Sequence, residues 1–275
     1  MKDITAIVRA RQLPPLQSCG NKYSHHNQIL RGQLIIDMRR FLIAFLVLTI
    51  AAAAPALAQA LQDIPFEKKL TLAKVGDEDA QVAVAEAYEA GSNGALPNLA
   101  EAAKYYRLAA LLGNVEAQYR LARIVAKGAV GLKQDYATAA KLYQDAAAKG
   151  NAKAMDALGQ LYQNGQGIPA DPAKAVEWYR KAADLKYANA ENNLGVMYLN
   201  GMGVKRDLGE AFKLFERAAK QGDAWGLNNL GGMYEMGWGT TKDVAKARDY
   251  YSQAVAMGNK AAVENNRRLA TATTQ

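Results

Sequence analysis

Apolar residues recur at helical spacing along the chain, and a representative stretch predicts a pair of helices. The first stripe falls at i, i+4, i+7 and i+8, one face of a helix, and holds Ala154, Leu158, Leu161 and Tyr162. Gly165 follows, where a glycine can adopt the left-handed conformation that ends a helix. After a short loop, Asp171 is a suitable N-cap for a second helix. The pattern therefore predicts a helix, a loop and a second helix.

This helix pair is repeated five times at intervals of 36 or 37 residues. One marker is a tyrosine, or once a valine, three residues before a glycine: Tyr88, Val125, Tyr162, Tyr198 and Tyr234. A second marker is an N-cap residue: Asn98, Asp135, Asp171, Asp207 and Asp243. A fixed internal layout at this period is the sequence signature of a solenoid, in which each repeat contacts its neighbours.

The period sets the expected organisation of the chain. We expect an all-α solenoid of helix-turn-helix repeats with a capping helix at each end. The predicted segments are an N-terminal capping helix at 59–77, repeats at 78–113, 114–150, 151–186, 187–222 and 223–258, and a C-terminal capping helix and tail at 259–275.

Several positions within the repeats have predicted structural roles. The aromatic residues that recur in the second helices are expected to form the core: Tyr106, Tyr143, Tyr179, Phe215 and Tyr251. Asn98 with Glu101, and Asp207 with Glu210, have the spacing of a capping box. Lys186 stands where the other repeats end on glycine, so a left-handed lysine is expected there at a cost of about 1 kcal/mol.

The fourth repeat carries the residues of a known family. It reads Asn193-Leu194-Gly195-x-x-Tyr198-x-x-Gly201-x-Gly203, followed by Asp207 and the Ala218-Ala219 pair. This resembles the Sel-one-like repeat, a relative of the tetratricopeptide (TPR) repeat. The resemblance implies a right-handed α-solenoid that scaffolds protein–protein contacts. The first two repeats depart from the motif, since Val125 replaces the tyrosine and the Leu-Gly pair is absent.

An export signal is predicted before the repeats. Residues 38–58 begin with Arg39 and Arg40, continue as an apolar run and end in Ala56-Leu57-Ala58, a typical cleavage pattern. We expect cleavage after Ala58 and a periplasmic or secreted protein that has no membrane contact afterwards. A retained membrane anchor is the alternative. Residues 1–37 are then expected to be an upstream, non-native extension, with translation starting at Met38.

Composition excludes several functions once this signal is set aside. The whole chain has a net charge of +8, but residues 1–58 hold seven basic and two acidic side chains, which leaves +3 for residues 59–275. The case for nucleic-acid binding is therefore lost. The only Cys and both His also lie in residues 1–58. Residues 59–275 thus cannot form disulfides, Cys nucleophiles, Ser-His-Asp triads or the usual zinc sites. We expect no metal, cofactor or catalytic residue.

Two classes of function remain open. The favoured one is a non-enzymatic scaffold that binds a protein or peptide partner, as an adaptor or regulator of an envelope protein. The alternative is a cell-envelope enzyme that acts on cell-wall or β-lactam-like substrates. An enzyme would need a carboxylate pair or an activated Ser or Lys, and no spacing in the repeats singles one out.

A row of asparagines is the first candidate binding site. Asn193, Asn229 and Asn265 lie 36 residues apart at one position of consecutive first helices, which line the concave face in TPR-like solenoids. An Asn side chain offers a donor and an acceptor, so such a row suits an extended peptide. Arg267 and Arg268 add candidate contacts for an acidic segment. The alternative is a repeat consensus residue that hydrogen-bonds the backbone of the next repeat.

Two tryptophans form the second candidate. Trp225 and Trp238 do not recur in the other repeats, and Trp238 lies between two loop glycines, where burial is difficult. They are predicted to form an exposed partner-binding patch. The alternative is packing against an adjacent loop.

Overall fold

The computed structural model describes residues 64–272, with side chains to Leu269. The predicted extension at 1–37 and the signal peptide at 38–58 lie outside this part. The described chain folds into twelve helices: α1 Phe66–Lys74, α2 Glu78–Ala90, α3 Leu99–Leu111, α4 Val115–Lys127, α5 Tyr136–Ala148, α6 Ala152–Asn164, α7 Pro172–Asp184, α8 Ala188–Asn200, α9 Leu208–Lys220, α10 Ala224–Met236, α11 Val244–Ala256 and α12 Lys260–Ala272. None of these helices has the length and apolar character needed to cross a membrane.

The helices stack in chain order. Each helix packs against the one before it and the one after it, and α8 also contacts α10 directly. Helices α2 to α11 form the five predicted pairs, with α1 and α12 at the two ends. The predicted all-α solenoid is confirmed.

Polar side chains cap the second helix of every repeat, as predicted. The side chains of Asn98, Asp135, Asp171, Asp207 and Asp243 each accept a hydrogen bond from a backbone N–H in the first turn. The prediction of a closed capping box was wrong. The N–H groups of Asn98 and Asp207 donate instead to the carbonyls of Tyr88 and Tyr198. With that donor occupied, Glu101 pairs with Lys104, and Glu210 with Lys213.

The ends of the helix pairs match the expected backbone conformations. Gly165 and Gly201 end first helices in the left-handed region, at φ 67° and 69°. Lys186 also has a positive φ, 60°, as predicted. A lysine is therefore held in a conformation that glycine adopts more readily.

The recurring aromatics form the core. Tyr106, Tyr143, Tyr179, Phe215 and Tyr251 are each at most 4% exposed. In the last three repeats each ring packs on a glycine of the first helix. A Cβ atom on Gly195 would lie 2.7 Å from Phe215, and one on Gly231 would lie 2.8 Å from Tyr251. The Leu-Gly pair of the repeat therefore provides the space for this ring.

Candidate functional site

Side-chain contacts join each first helix to the next, from α2 through α4, α6, α8 and α10 to α12. We call the side of the stack that they form the first-helix face. A chain of side-chain hydrogen bonds crosses its C-terminal half. We call its members the amide ladder: Asp156, Asn192, Asn193, Asn228, Asn229 and Asn265.

The ladder joins successive repeats through short hydrogen bonds. Asn265 Nδ2 donates to Asn228 Oδ1 at 2.9 Å, Asn229 Nδ2 to Asn192 Oδ1 at 2.8 Å, and Asn193 Nδ2 to Asp156 Oδ1 at 2.8 Å. Within a repeat, Asn228 Nδ2 approaches Asn229 Oδ1 at 3.3 Å. In each of the three bonds between repeats the donor belongs to the later repeat and the acceptor to the preceding one.

The predicted asparagine row thus contacts the preceding repeat and bonds side chains rather than backbone. Asn193, Asn229 and Asn265 are nevertheless partly exposed. The side-chain oxygen Oδ1 of Asn265 accepts no hydrogen bond from residues 64–272. The ladder therefore ends at its C-terminal side in an open acceptor.

The other end of the ladder is a buried carboxylate. Asp156 is 4% exposed, and its Oδ2 accepts a 2.8 Å hydrogen bond from Gln160. Burial raises the pKa of Asp156 to about 6, against the opposing effect of the hydrogen bonds from Asn193 and Gln160. Residue type did not predict this burial, because aspartate is rarely found in a core.

A second buried carboxylate lies near the C-terminal end. Glu235 accepts hydrogen bonds from Tyr251 Oη at 2.8 Å and from Arg268 Nη2 at 2.8 Å. The hydrogen bond from Arg268 lowers the pKa of Glu235 and outweighs the effect of burial. Glu235 therefore carries a charge that Arg268 neutralises.

The same arrangement recurs at the N-terminal end. Glu89 accepts a hydrogen bond from Tyr106 Oη at 2.7 Å and pairs with Arg123. Both carboxylates bond the core tyrosine of their own repeat and an arginine of the next first helix. The arrangement fastens one repeat to the next.

Two cavities lie between neighbouring first helices at repeat boundaries, and loop and second-helix residues also line them. One, of about 310 Å³, is lined by Arg123, Lys127, Gln134, Tyr136 and Gln160, among other residues. The second, of about 280 Å³, lies between repeats four and five and α12. We call it the C-terminal cavity. Its lining includes Asn229, Gly232, Met236, Trp238 and Asn265.

The C-terminal cavity brings together four of the predicted site residues: Asn229, Asn265, Trp238 and Arg268. Asn193, Trp225 and Arg267 do not line it. Trp225 is 57% exposed at the start of α10, whereas Trp238 is half-buried, with the guanidinium of Arg206 6.0 Å from its ring centre. Arg206 belongs to the loop of the preceding repeat, so Trp238 has the loop contact that the sequence left as an alternative.

Sequence reasoning missed Gly232 and Glu235, which also line this cavity. A comparison of equivalent positions could have found Gly232. The other first helices carry a larger side chain there: Glu86, Arg123, Gln160, Val196 and Arg268.

In the part of the chain that the structure describes, no three acidic, His or Cys side chains are grouped to hold a metal ion.

Comparison with protein families identifies the repeats. The Sel1 repeat model matches residues 78–114, 115–151, 152–187, 188–223 and 226–259. No curated protein matches the chain.

Solved structures of Sel1 repeat proteins resemble the chain. A Sel1 repeat protein from Oxalobacter formigenes is 28% identical, with a TM-score of 0.64 over 69% of this chain and 75% of that one. A protective antigen of uropathogenic Escherichia coli with the same fold is 29% identical, with a TM-score of 0.54 over 73% of this chain and 50% of that one. An immunity protein from Pseudomonas aeruginosa, 19% identical, has a TM-score of 0.50 over 76% of this chain and 83% of that one.

Proposed function

Because the chain belongs to the Sel1 repeat family of helical scaffolds, we propose that it is an exported protein whose first-helix face binds a partner polypeptide. The bound protein would be a component of the cell envelope, for which this chain serves as an adaptor or regulator. The proposal needs no cofactor or metal.

The observation that carries this proposal is the pair of open cavities at separate repeat boundaries of one face. An extended polypeptide is a ligand that can reach both, because side chains along it can enter successive pockets. Repeat scaffolds offer this kind of extended surface. The side-chain amides of Asn193 and of Asn229, which lines the C-terminal cavity, keep hydrogen-bonding groups that the ladder does not use, and these can bond a peptide backbone.

The contacts of the buried carboxylates also favour a scaffold over an enzyme. Asp156 and Glu235 each bond side chains from more than one helix. Glu191, 2% exposed, forms a salt bridge with Arg217 at 2.9 Å and accepts a hydrogen bond from Gln221 at 2.6 Å. Each of these groups links neighbouring helices through its contacts. Assays of the protein with cell-wall and β-lactam substrates test the enzyme alternative, which any hydrolysis above background would support.

The export proposal is tested by identifying the first residue of the protein made in a bacterial host. We expect a periplasmic product that begins at Gln59, since Ala56-Leu57-Ala58 completes the signal. N-terminal sequencing of the fractionated protein measures this. A cytoplasmic product that keeps Met1 would contradict the export proposal, and a membrane-bound product that keeps Arg39 would favour the anchor.

Partner binding is tested by crosslinking in the periplasm and purification of the bound protein. Lys127, which lines the cavity of about 310 Å³, is changed to Glu, and the control is Lys141→Glu, an exposed position on the second helix α5. We expect Lys127→Glu to reduce capture at least fivefold and the control to keep it. Equal capture by both variants would exclude this part of the face.

The asparagine row needs a separate measurement, because its side chains also join repeats. The triple change of Asn193, Asn229 and Asn265 to Ala removes the three hydrogen bonds between repeats, each worth about 1 kcal/mol. We expect the melting temperature to fall by several degrees. If the row also binds the partner, capture per folded molecule will fall as well. If the folded triple variant still captures the partner fully, the asparagine row has a structural role alone.

A further inference from the structure

One glycine on the first-helix face is not required by packing. Gly232 lies inside α10, where glycine costs about 1 kcal/mol relative to alanine. A Cβ atom there would meet nothing closer than Tyr251 Oη at 3.6 Å, an ordinary contact. On its neighbour Gly231 a Cβ atom would lie 2.8 Å from the same ring. The core therefore needs Gly231 but not Gly232.

The missing side chain leaves the C-terminal cavity open. The equivalent positions on the two neighbouring first helices hold Val196 and Arg268. At Gly232 the backbone of α10 forms part of the cavity wall. Leu199, Met236 and Trp238 supply apolar surface around it. A ligand side chain can thus reach the helix itself.

The charges and polar groups of this cavity define what can enter. Glu235 and Arg268 neutralise one another, so the cavity offers no net charge to an ionic ligand. The side-chain oxygen Oδ1 of Asn265, which lines the cavity, is an open acceptor that suits an amide N–H. The volume of about 280 Å³ lies at the lower limit for drug-sized ligands, about 300–1,000 Å³. It suits one large apolar side chain and its backbone amide.

We propose that the C-terminal cavity, opened by Gly232, is an anchor pocket for one large apolar side chain in an extended, locally uncharged segment of the partner. The inference rests on the proposed function and deepens it. It assigns Gly232 as a specificity-determining residue, with Asn265 as the acceptor for the backbone of the bound segment.

The test uses a phage-displayed library of random heptapeptides, selected on the full chain. Gly232→Gln places in the cavity the residue found at the equivalent position 160. Ala148→Gln, at an exposed position on α5, is the matched control. We expect the selected peptides to share one Leu, Met, Phe or Trp among uncharged residues. Gly232→Gln should weaken their binding at least tenfold, as should alanine at the shared position, while Ala148→Gln should leave it unchanged.

A thermal melt shows that the pocket and not the fold has changed. We expect Gly232→Ala and Gly232→Gln to melt no lower than the wild type, and Gly231→Ala to melt several degrees lower. If Gly232→Gln does not fold, Gly232→Val replaces it, because valine stands at position 196.

Several results would overturn the anchor pocket: a charged consensus, equal binding by Gly232→Gln, or no peptide enriched above the bare support. If the wild type is a dimer and Gly232→Gln is a monomer, a second copy of the chain occupies the cavity instead of a partner. The crosslinking experiment separates this inference from the proposed function. A partner that is held equally by wild type and Gly232→Gln excludes the pocket alone, whereas no partner with wild type counts against the function itself.

Discussion

At the scale of single residues, one turn of the solenoid departs from its own consensus. The turns that end the other repeats have Gly113, Gly150, Gly222 and Gly258, all at positive φ. Lys186 adopts the same conformation at φ 60°, although a Cβ atom in the left-handed region costs roughly 1–2 kcal/mol. The fold therefore imposes this backbone conformation on the sequence.

Changing Lys186 to Gly should stabilise the protein by about 1 kcal/mol, because it removes the crowding at the Cβ atom. The gain is partly offset by the greater freedom of glycine in the unfolded chain. The reverse change at the equivalent position, Gly222→Lys, should destabilise by a similar amount. Denaturant unfolding of both variants measures the two effects. A loss of stability in Lys186→Gly would show that the lysine side chain makes a compensating contact.

At the scale of helices, local sequence predicted the helix caps and core positions, but not the hydrogen bonds to residues of the preceding helix. The N-cap side chains and the core tyrosines follow from residue type and spacing. The capping boxes at Asn98 and Asp207 did not close, because carbonyls of the preceding first helix, at Tyr88 and Tyr198, bind the N–H groups that each box needs. Which carbonyl reaches the cap depends on the path of the connecting loop, and spacing within the second helix carries no information about that path.

The capping box at Asp207 has the aspartate cap but lacks the bond from Glu210, and this gives a prediction for α9. Asp207→Ala should destabilise the protein by about 1 kcal/mol, since the side chain caps the N–H of Glu210 at 3.0 Å. Glu210→Ala should cost less than about 0.5 kcal/mol, because it removes only a surface ion pair with Lys213. Thermal melts of the two single variants compare them directly. Equal losses would mean that the glutamate also contributes to the cap in solution.

At the scale of the whole molecule, the amide ladder couples the third repeat to the C-terminal cap. The sequence showed the asparagines at equivalent positions but not their partners, since neighbouring repeats meet only in the folded stack. Asp156 occupies the position that Asn192 and Asn228 hold in the next two repeats. A carboxylate therefore stands where the ladder elsewhere has an amide.

Asp156 should make stability depend on pH. Its pKa is about 6 in the folded protein and 3.8 for the free side chain, chiefly because burial disfavours the charge. Between pH 4 and 6 the folded state therefore holds the proton more tightly than the unfolded state does. The stabilisation of the folded state by the proton on Asp156 is greatest below pH 4, falls as pH rises to 6 and stays low above pH 6. Asp156→Asn cannot ionise, and its amide can continue the ladder with Asn193.

We expect Asp156→Asn to stabilise the protein at pH 7.5 by on the order of 3 kcal/mol, and to change stability little at pH 4. Thermal melts of wild type and variant from pH 4 to 8 measure this difference, and Asp145→Asn, at an exposed position on α5, is the control. Because other groups titrate equally in both proteins, the difference between their curves reports Asp156. Parallel curves would show that water reaches this carboxylate and that the ladder does not end in a buried charge.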